Sequence, residues 1–299
     1  MVNHVQRSRW VGLGALLLLA SDCSALSDAG DSDVKIAAAF YPLEYVSERV
    51  AGPYADVTGL TSPGKEPHDL ELTIKETADI AMSDLVVYEA DFQAAVDDAV
   101  GQNAGGDVID AAAVAGLQPF ADEAEVSGPD PHFWLDPLKL ATVGDAVADS
   151  LADIDPTHAD AYASNAADLR ADLEDLDRAF TAGLADCERS TIVVSHDAFG
   201  YLTRYGLESA PVAGLSPDAE PTPAGLASLQ QLIADDGITT VFGERLASPR
   251  LTETLADDMG VQTAVLDPIE GLSDETSGED YLSLMEQNLT ALRKANACL

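Results

Sequence analysis

Three histidines stand out by position in a chain that has only five among its 299 residues. His68 lies in the loop-like run TSPGKEPHD, His132 in GPDPHFWLDP, and His196 directly after the run TIVVS. An aspartate, Asp267, follows VQTAVL and precedes Pro268. Three imidazoles and one carboxylate make a complete tetrahedral donor set for zinc. Manganese and calcium favour more oxygen donors, so an imidazole-rich set suits zinc better. Spacing alone carries little weight, because the four are spread along the chain with no compact motif of the CxxC kind. A lone histidine in a loop is more often an ordinary polar residue than a ligand, and an aspartate before proline is an ordinary turn former. The coincidence of position carries the argument. His4 sits in an N-terminal leader-like segment and His158 in the first turn of a long helical pattern, and the remaining three fall at strand ends or at the exit from one half of the chain.

The elements that must position them read as follows. Val34 to Phe40, Ala55 to Leu60, Leu85 to Tyr88 and Asp107 to Asp110 are short apolar runs with strand character. Helical stretches separate them: Pro42 to Val50, with proline tolerated in the first turn, then residues 75–82 and 91–100. This alternation predicts a parallel sheet with helices on its faces. After Pro137 the pattern changes. Tyr162, Ala166, Leu169, Leu173, Leu176, Phe180 and Leu184 recur at steps of three and four, one apolar face of a single helix. From Pro156 to Ala185 that helix would run about 45 Å. Its other face carries Asp160, Asp168, Asp172, Glu174, Asp175 and Asp177 and is solvated. After Cys187 the alternation resumes. Strands are expected at Thr191 to Ser195, Ile238 to Gly243 and Val261 to Leu266. A helical stretch runs to Tyr205, further helices lie in PTPAGLASLQQLIADDG and SPRLTETLADDMG, and a last one spans about Gly278 to Ala297. The fold class is α/β, with two lobes of parallel sheet and a connecting helix. Ligands in open α/β sheets gather beyond the carboxyl ends of strands, which places the four donors in the cleft between lobes.

Composition limits the partners. There are 53 acidic residues against 15 Lys plus Arg, a net charge of −38. Such a polyanion repels nucleic acid and anionic lipid and suits a salty medium. Residues 1–22 read as a secretory signal: Arg7 and Arg9 precede the apolar run Trp10 to Ala20, too short to span a bilayer comfortably. LLLLASDC resembles a lipoprotein signal, with Cys23 as the lipidated residue and Asp22 where a small residue is usual. Ordinary signal-peptidase cleavage near Cys23–Ala25 is the other reading. Residues 23–33 form a polar tether, 34–137 the first lobe, 138–186 a helical linker with the bridging helix, and 187–299 the second lobe. No later segment is apolar for long enough to span a membrane. Cys187 and Cys298, the two remaining cysteines, are a disulfide candidate in an exported protein, against two free thiols.

The segments GKEPHDLELT, DPHFWLDP, TIVVSHDAFGYLTRYGL, GLSPDAEPTPAGL and TAVLDPIEGL together resemble the zinc/manganese solute-binding proteins of ABC importers, over about residues 34–298. The resemblance implies His68, His132, His196 and Asp267 as metal ligands, and two Rossmann-like lobes joined by one rigid helix. Manganese-type members can carry glutamate in place of the third histidine; His196 there implies Zn²⁺ rather than Mn²⁺. Many zinc members have a long histidine-rich loop between the first two ligands, where this chain has the short acidic run Ala121 to Gly128. The resemblance also implies the Cys187–Cys298 disulfide. Around the ligands, Glu244 after the strand ending in Gly243 is either an acceptor for an imidazole N–H or a surface acid. Asp136 either orients His132 or caps the next helix. Trp134, Phe40 and Tyr41 are read as packing that keeps water from the cleft, and Glu66 and Asp69 as acids that steer cations.

Four protein ligands close a zinc site, whereas catalytic zinc keeps a position open for water. There is no HExxH, GxSxG, GxGxxG or Walker-type run. The expectation is therefore capture and not catalysis: an extracytoplasmic, monomeric protein that binds Zn²⁺ and passes it to an ABC permease and its ATPase, without nucleic acid. It would be lipid-anchored on the outer face of the cytoplasmic membrane, or periplasmic or secreted. The alternatives are a manganese-binding protein, a surface adhesin with a structural metal, and a zinc hydrolase in which water replaces Asp267.

Overall fold

The computed structural model describes residues 1–2, 34–119, 128–217 and 219–299. The signal segment from residue 3 onward, Cys23, the tether and most of the acidic run Ala121 to Gly128 lie outside the described residues.

The first half is built as β1 (Lys35–Ala38), α1 (Tyr41–Ala51), β2 (Asp56–Gly59), α2 (Ile74–Met82), β3 (Leu85–Tyr88), α3 (Ala94–Asn103), β4 (Asp107–Asp110) and α4 (Ala111–Ala115). The strands form one parallel sheet in the order β2-β1-β3-β4. Ile36, Ala37 and Ala38, and Leu85, Val86 and Val87, are buried in succession, so the two central strands are covered on both faces. Between β2 and α2 lies an irregular stretch, residues 60–73, which carries His68. It ends where Thr73 and Glu76 cap the start of α2 reciprocally.

A two-stranded antiparallel pair, β5 (Gln118–Pro119) with β6 (Pro129–Asp130), leads out of this half. His132 and a 3₁₀ turn, Phe133–Leu135, follow at once. Two helices come next, α5 (Pro137–Ile154) and α6 (Ala159–Gly183), joined by a short 3₁₀ turn at Pro156–His158. The expected single helix from Pro156 is therefore shorter at both ends, and it packs along a second long helix. Leu140, Val143, Val147 and Leu151 give α5 its own buried face. The apolar face expected on α6 is the buried one, from Tyr162 to Phe180.

The second half runs β7 (Thr191–Val194), β8 (Glu208–Pro211), α7 (Pro223–Asp235), β9 (Thr240–Gly243), α8 (Arg250–Met259), β10 (Gln262–Val265) and α9 (Tyr281–Asn296). Its sheet is parallel, in the order β10-β9-β7-β8. The segment after His196 forms only a 3₁₀ turn at Gly200–Tyr205. The half-buried edge strand β8, whose run ESAP has little apolar character, was not among the expected strands. Cys187 and Cys298 are joined by a disulfide. Among the described residues, no helix is long and apolar enough to cross a membrane.

Side chains of β7 divide between two apolar clusters. Ile192 and Val194 join the large core shared with the first sheet, α1, α5, α6 and α9, and Val193 joins a smaller one beneath α7 and α8. The period-two alternation of a strand makes this division. The large core runs without a break past the carboxyl ends of both sheets, and there the histidines meet.

Candidate metal centre

His132 is placed by β6 and by the prolines on either side of Asp130. Asp130 Oδ1 accepts the backbone N–H of His132 at 3.0 Å and stands 2.8 Å from its ring Nδ1. The carboxylate thus fixes both the turn and the ring, leaving Nε2 to point away. Gly200 makes room for it: a Cβ there would lie 2.5 Å from Asp130 Oδ2. Tyr201 adds a hydrogen bond of 2.9 Å to the Asp130 carbonyl.

His196 is set in the same manner from the other sheet. It comes two residues after β7, and its Nδ1 lies 2.6 Å from Glu244 Oε1. Glu244 directly follows β9, the neighbouring strand, so the parallel pairing of β7 and β9 brings the two together. The Ser195 hydroxyl donates to the same carboxylate oxygen. Of the two readings of Glu244, the structure has the imidazole partner.

His68 reaches the cluster from the irregular stretch after β2. Its backbone N–H donates to Glu66 Oε1 at 3.1 Å, and its ring meets the edge of Phe92 at 4.7 Å between centroids. Its side chain is 9% exposed, whereas those of His132 and His196 are at 0%.

The fourth member is Glu270. Its Oε1 lies 3.4 Å from the Nε2 atoms of His68, His132 and His196 alike. One donor atom from each of these four residues falls within 4.8 Å of every other. The three Nε2 atoms and Glu270 Oε1 are buried and have no hydrogen-bond partner among the described residues. Four buried polar atoms left unpaired would be costly unless something else satisfies them. The three Glu270–imidazole distances equal the edge of a tetrahedron whose centre lies about 2.1 Å from each corner, the length of a Zn–N or Zn–O bond, and the imidazole nitrogens lie within 4.8 Å of one another. The donor set and its spacing fit zinc.

Asp267 is a correction to the sequence expectation. It lies two residues beyond the end of β10, one further than expected, and its carboxylate is taken by groups other than the imidazoles. Oδ1 accepts the Ile269 N–H at 2.8 Å, and Oδ2 pairs with Arg245 Nε at 3.0 Å. Three residues further on, Glu270 occupies the place expected of it. Both acids lie in the run LDPIEGL, so the strand-end signal located the loop and chose the wrong acid. Of the two readings of Asp136, the structure has the helix cap. Its Oδ1 caps α5 at the Leu138 N–H, 3.0 Å away, and Asp136 also pairs with Arg204. Asp130 orients His132 instead, a role that sequence reasoning missed although an acid two residues before the histidine was its signal.

The walls match the expected packing in part. Trp134 is wholly buried, lies 5.3 Å from the His132 ring and 4.9 Å from Phe40, and donates from Nε1 to the Pro268 carbonyl at 2.7 Å. Tyr41 packs instead on Tyr45. Glu66 is half-buried beside His68, with Oε1 3.9 Å from Nε2, and Asp69 is exposed.

Charge is distributed unevenly in this buried place. Burial opposes the charge on Glu270, but His132, His196 and His68 outweigh it and hold the carboxyl well below its ordinary value. Burial likewise opposes protonation of His196, yet Glu244 and Glu270 push it up to about 10. His132 is raised in the same way against burial, by Asp130 and Glu270. Glu89, after β3, is the contrast. It is as buried as Glu270 and neither oxygen has a partner among the described residues, but the charged groups that act on it are acids and not imidazoles. Burial, then Asp130, Asp110 and Asp97, raise it well above its ordinary value.

Comparison with known proteins gives a consistent result. Residues 36–295 match the family described as zinc-uptake complex component A, periplasmic (ZnuA). The chain is 32% identical to the high-affinity zinc uptake system protein ZnuA of Bacillus subtilis, across 95% of this chain and 97% of that protein. It is 34% identical to the zinc-binding lipoprotein AdcA of Streptococcus pneumoniae, across 93% of this chain but only 60% of AdcA. Among solved structures, the Zn(II)-bound ZnuA-like domain of that AdcA superposes with a TM-score of 0.75 at 34% identity, covering 88% of this chain and 98% of the domain.

Proposed function

This chain belongs to the ZnuA family of zinc-uptake proteins, and from that premise we propose that it captures Zn²⁺ outside the cytoplasmic membrane and hands it to an ABC permease driven by its ATPase. The metal is cargo, and His68, His132, His196 and Glu270 are the residues that hold it. The observation that carries this reading is the convergence of four buried, unpaired donor atoms within 4.8 Å of one another. Three nitrogens and one oxygen favour Zn²⁺ over Mn²⁺, which prefers more oxygen. Four protein donors close the coordination sphere, which suits capture and leaves no position for a catalytic water. The disulfide suits an oxidising compartment. AdcA is named a lipoprotein, in keeping with an anchor at Cys23. The relatives' place in zinc uptake systems supports delivery to a permease.

Competitive titration of the purified mature protein with Zn²⁺ and Mn²⁺ against a chelator, with elemental analysis, tests the reading. One equivalent of tightly bound Zn²⁺ and weaker Mn²⁺ binding are expected. Tighter Mn²⁺ binding, or no high-affinity zinc, would overturn it.

A further inference from the structure

The loop that presents Glu270 contains a backbone feature that its residue types disfavour. Ile269 has φ 59° and is fully buried. A β-branched residue in the left-handed region is a steric outlier, because its Cβ crowds the backbone. Among the described residues the other two non-glycine positions with positive φ are Asp91 and Ala297, neither of which is β-branched. The reversal at Ile269 follows Pro268 and immediately precedes Glu270, so the direction of that ligand depends on it.

The surroundings fix this turn at several of its polar groups. Asp267 Oδ1 accepts the Ile269 N–H at 2.8 Å. The Asp267 backbone is itself clamped by Asn288, whose Oδ1 accepts its N–H at 2.8 Å and whose Nδ2 donates to its carbonyl at 2.6 Å. Trp134 holds the Pro268 carbonyl. The second oxygen of Asp267 faces Arg245, an ion pair at 3.0 Å and not an aligned hydrogen bond. Arg245 also reaches Gln287 Oε1 on α9 at 3.2 Å. It is the residue next to Glu244, so consecutive side chains after β9 stand behind His196 and behind Asp267.

We infer that Asp267 is a positioning residue: it holds the left-handed turn at Ile269 that carries the Glu270 carboxylate to the three imidazoles, and Arg245 holds Asp267 in place. The inference rests on Glu270 being the anionic zinc ligand. Asp267 acts through the backbone and does not touch the metal. A strained backbone next to a functional group persists only where its surroundings enforce it.

The test is a mutant cycle on the mature protein. It is read as Zn²⁺ affinity by chelator competition and as the visible absorption of the Co²⁺-loaded protein, which reports tetrahedral coordination. Asp267→Ala is made in the wild type, in Ile269→Ala and in Ile269→Gly. Both Ile269 variants lose the same buried side chain, but only glycine adopts φ near 59° freely. Asp267→Ala should weaken zinc binding by about tenfold or more in the wild type and in Ile269→Ala, with loss of the tetrahedral Co²⁺ band. In Ile269→Gly it should cost less than about threefold. Equal losses in all three backgrounds would show that Asp267 acts directly on the metal and would overturn the inference, as would wild-type affinity in Asp267→Ala. Should the Ile269 variants fail to fold, Asp267→Asn replaces them, since it keeps an oxygen for the Ile269 N–H. Asn within about threefold of wild type, with Ala about tenfold weaker, supports the inference, and equal loss overturns it. Glu270→Ala separates the two levels. If it binds zinc like the wild type, the site reading itself fails. If it loses zinc while Asp267→Ala does not, only the present inference fails.

Discussion

Two of the three imidazoles are held from behind, and the third is not. His132 and His196 follow strands of different sheet systems, are closed to solvent, and each sets Nδ1 against a carboxylate, at 2.8 and 2.6 Å. His68 comes from a stretch without regular structure, keeps some solvent access, and has no carboxylate against its Nδ1 among the described residues. Its support is a backbone hydrogen bond to Glu66 and the edge of Phe92. A carboxylate behind a metal-binding histidine fixes the tautomer and the ring orientation and raises its basicity. Half of the site is therefore set before metal arrives, by elements packed into the large core. His68 closes it from the side that reaches solvent.

Glu270 is common to both halves of this comparison, and its loss should have the largest effect. Glu270→Ala removes the single anion that faces all three Nε2 atoms. Zinc affinity should fall by more than about 100-fold, beyond the roughly 10–100-fold expected from losing a residue behind a ligand. Chelator competition measures this, and a loss smaller than that of Glu244→Gln would remove Glu270 from the ligand set.

The comparison itself is sharpened by three conservative variants. Asp130→Asn and Glu244→Gln keep the shape behind His132 and His196 but lose the charge, and should each weaken zinc binding by about 10–100-fold. Glu66→Gln keeps an oxygen for the His68 N–H and should change affinity by only about threefold or less, the scale of a weak ion pair. Near-equal losses in all three would mean that His68 is as firmly preset as its partners.

How much of this was legible in the sequence follows the same division. The three histidines could be found because apolar runs mark the strands, and ligands gather where parallel strands end. Glu244 was legible for that reason too, being the first residue after β9. The buried face of α6 was legible from its periodicity. Glu270 was not. In LDPIEGL, Asp267 sits at the strand end before a proline and carries every local signal of a ligand. What separates the two acids is a φ of 59° at Ile269, which no propensity of isoleucine suggests. Asp130 and Asp136 flank the same histidine, and their roles were decided in part by contacts distant in sequence. Arg204 and the start of α5 take Asp136, and the glycine at position 200 makes room for Asp130. The edge strand β8 escaped because the run ESAP is half-exposed and ends in proline.

Titration gives the smallest effect and the finest view of the preset half. His196 has an ordinary value of 6.5 and stands at about 10 in the metal-free fold, because Glu244 and Glu270 outweigh burial. At pH 7 its ring therefore carries a proton on each nitrogen, including the Nε2 that faces Glu270. Zinc must displace that proton, so binding should release at least one proton per ion, and affinity should fall by about tenfold per pH unit for each proton released. The metal-free fold responds with the opposite sign. A folded pKa above the unfolded one contributes stability that is complete below pH 6.5 and is lost as pH rises towards 10. Across that window the melting temperature of the metal-free protein should fall while the increment added by zinc grows. Calorimetry in buffers of different ionisation enthalpy counts the protons, and melts with and without zinc give the two slopes. In Glu244→Gln the first cause of the raised value is gone, so proton release at pH 7 should shrink. Undiminished release in that variant would mean that the carboxylate behind His196 does not set its charge, and the distinction between the preset rings and His68 would rest on burial alone.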